Sequence, residues 1–211
     1  WQNRLVASPG FQSWAARFPL TRWMVRRDGQ AMFDMVAGFC HSQVLMGLVE
    51  FDVFHMLAEG SLDSADLARR CRVPPERMRV LLRAGVALGL LKTDRFGWFG
   101  LARKGAALAG VPGLAEMIRH HRVFYRDLQD PVAFFRGDGE TELTAFWPYV
   151  FGAAQVDDPA TAATYSELMA NSQVLVADDT LAVGPFDGVT HLMDVGGGTG
   201  AFLTAVAKRH G

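Results

Sequence analysis

The run His191-Leu192-Met193-Asp194-Val195-Gly196-Gly197-Gly198-Thr199-Gly200 constrains this chain more than any other part of it. Leu192–Val195 reads as a short buried strand, and Phe202, Leu203, Val206 and Ala207 follow at the spacing of a helix core face. The glycines between them adopt backbone angles closed to other residues and let a ligand lie against bare main chain. Free N–H groups at the start of the following helix favour a negatively charged group. A strand, a glycine turn and a helix in this order open an α/β nucleotide-binding sheet, and one strand cannot make a sheet alone.

The spacing narrows the ligand. A dinucleotide site carries G-x-G-x-x-G with the pyrophosphate over the helix. Here Gly196, Gly198 and Gly200 give G-x-G-x-G, and Asp194 stands two residues before the first glycine. A carboxylate there suits a ligand with an ammonium group, such as the methionine end of S-adenosylmethionine.

The remaining residues read as mainly α. A chain of 211 residues, half of them apolar, can bury a full core as one large domain or two small ones. The longest apolar candidate for a membrane span, 31–57, is interrupted by Asp34, His41, Glu50 and Asp52, so no spanning helix is expected. Arg4, Arg17 and Arg22 interrupt the start in a way a secretory signal does not. Cys40 and Cys71 form no metal or disulfide pattern, which makes a reducing cytoplasm the default expectation and no metal the expected state. A net charge of −1 conceals a segregation: ten basic against four acidic residues over 61–105, and six against thirteen over 106–211.

Residues 1–28, with Trp1, Phe11, Trp14, Phe18 and Trp23, suggest short helices that either lie across a partner subunit or form a loose arm. From Ala31 to Glu59 the pattern is helical and apolar on nearly every side, including Met32, Phe33, Met35, Val36 and Phe39. Such a helix must be buried all round, and in a chain this small the cover points to a second subunit. Residues 61–105 predict helix, turn, helix and a two-stranded wing. Asp63 caps the first helix and Pro75 opens the second, which carries Met78, Leu81, Leu82 and Val86 inward. The strands fall near 90–93 and 98–101, and the whole is a winged helix. Taken alone, this basic segment with Arg77, Arg79 and Arg83 also fits a DNA-binding regulator. Residues 112–183 read as further helices, and Phe146-Trp147-Pro148-Tyr149-Val150-Phe151 as an aromatic cluster that lines an apolar pocket or fills an ordinary core.

With these features in place, the chain resembles the S-adenosylmethionine-dependent O-methyltransferases that join a winged-helix dimerisation domain to a Rossmann-like catalytic domain. Through Ser8-Pro9-Gly10-Phe11-Gln12, Phe18-Pro19-Leu20-Thr21 and Phe146-Trp147-Pro148-Tyr149 it is similar to bacterial carotenoid hydroxyl methyltransferases acting on hydroxyneurosporene or demethylspheroidene. The resemblance implies S-adenosyl-L-methionine as cofactor, with Asp194, Gly196, Gly197, Gly198 and Gly200 as its binding residues. It implies that Tyr165 and Met169, in Tyr165-Ser166-Glu167-Leu168-Met169, face substrate, beside Phe146 and Trp147; Met169 reads equally as a core methionine.

The implied organisation is a helical dimerisation domain over 1–110, a helical linker and substrate-pocket region over 111–185, and the start of the cofactor domain over 186–211. The implied partners are a hydrophobic hydroxylated small molecule and a second copy of the chain, with peripheral membrane association compatible and no nucleic acid expected. The family's ribose-binding acid and histidine base would fall beyond Gly211, so the catalytic residues are not assigned and weak cofactor binding is expected of these residues alone. A non-methylating relative or an inactive dimerising scaffold fits the same sequence.

Overall fold

The structure is a computed structural model that describes residues 2–146, 159–184, 186 and 188–210. The chain divides into two compact units, residues 1–47 and 48–211.

In the first unit, helices α1 (Gln2–Val6) and α2 (Pro9–Arg17) precede α3 (Arg22–Glu50), which runs on into the second. Ser8 caps α2 by accepting a hydrogen bond from the Phe11 N–H, and Pro9 takes the first helical position, where no backbone donor is needed. Trp14 stacks on Phe18 with ring centroids 4.9 Å apart. The Thr21 hydroxyl donates to the Ala15 carbonyl at 2.7 Å, tying the turn before α3 back to α2.

Two features of α3 depart from the sequence reading. It begins at Arg22 rather than Ala31, and it stops at Glu50. Asp52 adopts a left-handed conformation (φ 54°), and a separate helix, α4 (Val53–Ala58), follows. The apolar residues Met32, Phe33, Met35, Val36 and Phe39 are exposed, and burial sets in only at Met46, Leu48 and Val49. Among the described residues, therefore, nothing covers the stretch expected to be buried all round. The helix also holds an 18-residue window of mean hydropathy 1.3, so by length and composition it is long and apolar enough to cross a membrane. An uncharged run is not needed for this, because such a window tolerates isolated charges.

Over 61–101 the second unit follows its expected order closely. Asp63 accepts a hydrogen bond from the Asp66 N–H at 2.7 Å and opens α5 (Ser64–Cys71), and α6 (Pro75–Ala87) starts on its proline. Strands β1 (Leu91–Thr93) and β2 (Phe99–Leu101) pair antiparallel, with Leu91 opposite Leu101 and Thr93 opposite Phe99. A single bridge joins Leu62 to Phe99. Leu48, Leu67, Met78, Leu82 and Leu91 are fully buried and form the core of this part. Helix α7 (Arg103–Gly110) packs on α4 and β2.

Helix α8 (Leu114–Asp127) is tied to the end of α3 by ion pairs from Arg119 and Arg122 to Glu50, at 3.8 and 3.0 Å. Then come α9 (Pro131–Arg136), closed by Gly137 in a left-handed conformation, and α10 (Glu142–Phe146). The Asp127 carboxylate accepts from the Glu142 and Leu143 N–H groups, capping α10 from α8. Helices α11 (Pro159–Val183) and α12 (Ala201–His210) pack on each other.

The strand expected at Leu192–Val195 does not form. Among the described residues the only sheet is β1–β2, so this segment has no ladder to join. Its side chains accordingly stand open, with Met193 83% and Val195 87% exposed. No residue of α12 is buried either, although Phe202 approaches Phe186 at 6.2 Å between ring centroids. Apolar alternation specifies a strand only where a neighbouring strand accepts its hydrogen bonds.

Candidate functional site

The glycine turn takes the shape its sequence demands. Gly196, Gly198 and Gly200 have φ of 79°, 55° and 76°, the left-handed region that side chains disfavour. Gly197 lies against the Asp194 carboxylate, and a Cβ there would collide with it. Conformation favours glycine at 196, 198 and 200, while at 197 a Cβ would displace the Asp194 carboxylate. The Gly200 N–H closes the turn on the Gly197 carbonyl at 2.9 Å, and α12 begins at the next residue. The result is one carboxylate folded over a bare backbone cradle, at the N-terminal end of a ten-residue helix. Such an arrangement offers an acceptor for a cation beside N–H donors for polar or negatively charged groups.

Met169 lies on α11, half-buried. Tyr165 is on the same helix, one turn earlier, and its side chain lies outside the described residues. Phe146 ends α10 with an undescribed side chain, and Trp147 with the rest of the aromatic cluster falls outside the described residues altogether. A cleft of about 770 Å³ opens between α11 and α12, lined by Asn171, Asp178, Thr199, Thr204 and Lys208 among others. Of the turn, only Thr199 borders it. Asp194 and the glycines are not gathered into this cleft.

Helix α11 is located by a contact the sequence reading missed. Gly113, at φ 74°, starts α8 with its Cα against the α11 backbone; a Cβ would lie 2.9 Å from Asn171 Cβ and 3.0 Å from its carbonyl carbon. Val111-Pro112-Gly113 marks only a turn that ends one helix and starts another, not the contact with Asn171. A second cavity of about 280 Å³ also went unforeseen, bounded by Asp52, His55, Glu116 and Arg119, with His55 Nδ1 2.8 Å from Asp52 Oδ1.

The histidines show no catalytic arrangement among the described residues. His121 Nδ1 sits 2.7 Å from the Met117 carbonyl of its own helix. His120 packs edge-on to Phe124, and burial, with the neighbouring His121, holds its pKa below the ordinary 6.5. His191 contacts the Thr190 hydroxyl at 3.0 Å.

Comparison with known proteins supplies the wider setting. The family model for an O-methyltransferase dimerisation domain matches residues 33–126, and that for an O-methyltransferase domain matches residues 125–210. Demethylspheroidene O-methyltransferase of Cereibacter sphaeroides is 54% identical over 207 residues, covering 98% of this chain and 55% of that protein. The enzyme of the same name from Rhodobacter capsulatus is 50% identical over 206 residues, covering 98% of this chain and 52% of that protein. The chain thus spans about half the length of these relatives. Among solved structures, human N-acetylserotonin methyltransferase in complex with SAM shares the fold at a TM-score of 0.71 and 22% identity, over 87% of this chain and 56% of that one.

Proposed function

From a chain that belongs to the O-methyltransferase family, with a dimerisation domain followed by methyltransferase-domain sequence, we propose the dimerising, substrate-selecting part and the cofactor entrance of an S-adenosylmethionine-dependent enzyme. The reaction is methylation of a hydroxyl on a hydrophobic small molecule, a hydroxylated carotenoid. The observation that carries this reading is the 54% identity to a demethylspheroidene O-methyltransferase along nearly the whole chain. The turn at 194–200 supports it, since Gly196, Gly198 and Gly200 are left-handed and leave open space beside their main chain.

In this reading Asp194 holds the ammonium of the cofactor's methionine end, and Gly196, Gly197, Gly198 and Gly200 admit the cofactor against the backbone. The cofactor supplies, when bound, a methyl group on an already electrophilic sulfonium. The protein's work is then to orient the hydroxyl for in-line attack and to exclude water from an apolar pocket. Met169, Tyr165, Phe146 and Trp147 are the residues assigned to that pocket. A general base must take the hydroxyl proton, and none of these residues is assigned to it.

The finer architecture belongs to the same proposal. Helices α5 and α6 with the β1–β2 hairpin form a winged helix serving dimerisation rather than base readout. Residues 1–110, 111–185 and 186–211 are the dimerisation domain, the linker and pocket region, and the start of the Rossmann-like domain. The exposed apolar residues 32–39 of α3 are covered by a second copy of the chain, and the assembly works in the cytoplasm, in peripheral contact with membranes.

The test is transfer of radiolabelled methyl from S-adenosylmethionine by the protein at its natural length. Label is expected in the ether of a hydroxylated carotenoid and lost in Asp194→Ala. Absence of transfer to any lipophilic alcohol, by folded protein, would sink the reading.

A further inference from the structure

The tip of the β1–β2 hairpin presents a surface that methyl transfer does not use. Residues 94–98 form a tight turn in which Asp94 Oδ1 accepts from the Phe96 N–H at 2.8 Å and the Trp98 N–H at 2.9 Å, with Gly97 left-handed at φ 82°. The turn is therefore held, and it holds two aromatic rings outward: Phe96 is 72% and Trp98 48% exposed. Strand alternation puts Trp98 on the outward face with Lys92, because Lys92 is paired with Gly100 two residues beyond Trp98. The Arg95 guanidinium carbon lies 4.7 Å from the Phe96 ring centroid. Aromatic rings and cations are thus fixed together at the end of a projecting loop.

Residues 61–105 are predominantly basic, and at the tip the Lys92 and Arg95 cations outnumber the one Asp94 carboxylate. Of the four acids in residues 61–105, Asp63 and Asp94 are engaged with backbone N–H groups, while Asp66 and Glu76 pair with Arg69 and Arg79. Lys92, Arg95, Arg103 and Lys104 are exposed and make no ion pair among the described residues. The surface therefore favours an anionic partner that accepts a Phe and a Trp side by side. An anionic bilayer surface meets both demands: its headgroups attract the cations, and its interfacial zone takes amphipathic rings. The groove of duplex DNA meets only the first.

We propose that this hairpin tip is a membrane-docking element that seats Phe96 and Trp98 in the interface of an anionic bilayer, with Lys92 and Arg95 on the headgroups. The proposal stands on the geometry of the tip and holds whether or not the substrate is a carotenoid. Its test is co-sedimentation of the protein with vesicles of equimolar phosphatidylcholine and phosphatidylglycerol, against vesicles of phosphatidylcholine alone. Preferential binding to the anionic vesicles is expected, weakening with salt. Lys92→Gln and Arg95→Gln should each lower it about fivefold, and Phe96→Ser with Trp98→Ser about tenfold or more.

Phe96→Ser alone guards against misfolding, since the ring is exposed and circular dichroism can verify the fold; it too must bind less. Undiminished binding in the folded aromatic variants would assign membrane contact elsewhere, for instance to α3, and overturn the proposal. So would failure of the wild type to prefer anionic vesicles. Salt-dependent binding of duplex DNA that competes with the vesicles and is insensitive to Phe96→Ser would give the surface to nucleic acid instead.

Discussion

Two glycines five residues apart on α7 should respond to the same substitution with opposite signs. Gly105 is buried where α7 crosses the preceding hairpin. A Cβ there would overlap the Leu90 carbonyl oxygen, lie 3.1 Å from the Leu90 carbonyl carbon and come within 3.3 Å of Phe54 Cε1. The Leu90 carbonyl is not free to retreat, because it accepts the Ala102 N–H at 3.0 Å. Overpacking a filled site costs about 1–3 kcal/mol, and an obstacle of backbone rather than flexible side chain puts Gly105→Ala at the upper end. Against this, alanine regains about 1 kcal/mol over glycine in a helix. The net is a loss of about 1–2 kcal/mol, and for a chain of this size a fall in Tm of about 2–8 °C. Gly110, at the end of the same helix, is exposed with nothing within 4 Å of a Cβ and no positive φ. Gly110→Ala should therefore stabilise, by about 0.4–1 kcal/mol or roughly 1–4 °C. Thermal unfolding followed by far-ultraviolet circular dichroism reads both. If Gly105→Ala raises Tm, or the two variants shift together, the packing of α7 on Leu90 is not as described.

Three further outcomes follow from the packing. Leu82→Ala empties a fully buried position on α6 and should cost about 2–5 kcal/mol in chemical denaturation, with Leu81→Ala, only half-buried, costing less. His120 has its folded pKa lowered by burial and by His121, so the folded state binds fewer protons than the unfolded one below 6.5. Its contribution to stability is present above that pH and declines as pH falls through the window beneath it. His120→Phe should flatten the slope of stability against pH there, and an unchanged slope would refute the burial argument. Phe33→Asp with Phe39→Asp places two charges on the exposed part of α3, and sedimentation should then find a smaller species than the wild type; equal sedimentation would remove α3 from the interface.

The order of elements over 61–101 was legible in the sequence because local signals set it. Asp63 and Pro75 each mark a helix start through their own backbone chemistry, and both starts appear where expected. The glycine turn was legible for the same reason, since its φ values are what alternate glycines permit. The errors arose wherever the outcome depended on distant partners. Leu192–Val195 has the composition of a strand, but strand formation needs a neighbour that no described residue supplies. The break at Phe51–Asp52 was hidden because a left-handed Asp carries no strong sequence mark, unlike a glycine. Gly113 was invisible as a packing contact, since its importance lies in Asn171, far along the chain. The candidate site was legible as a motif and not as an enclosure, because the turn's shape is local while walls come from other elements.

The uncovered stretch of α3 also bears on how the protein is kept. A helix with Met32, Phe33, Met35, Val36 and Phe39 turned to solvent gains little from the other described residues, and under the proposed pairing of two copies its order would become a function of concentration. Where a second copy binds there, dilution alone would loosen it, and the midpoint of thermal unfolding would climb with protein concentration. A subunit synthesised in excess would carry a sticky, protease-accessible rod until it met its match. Cellular abundance would then be set by the rate of encounter between subunits as much as by the stability of either one.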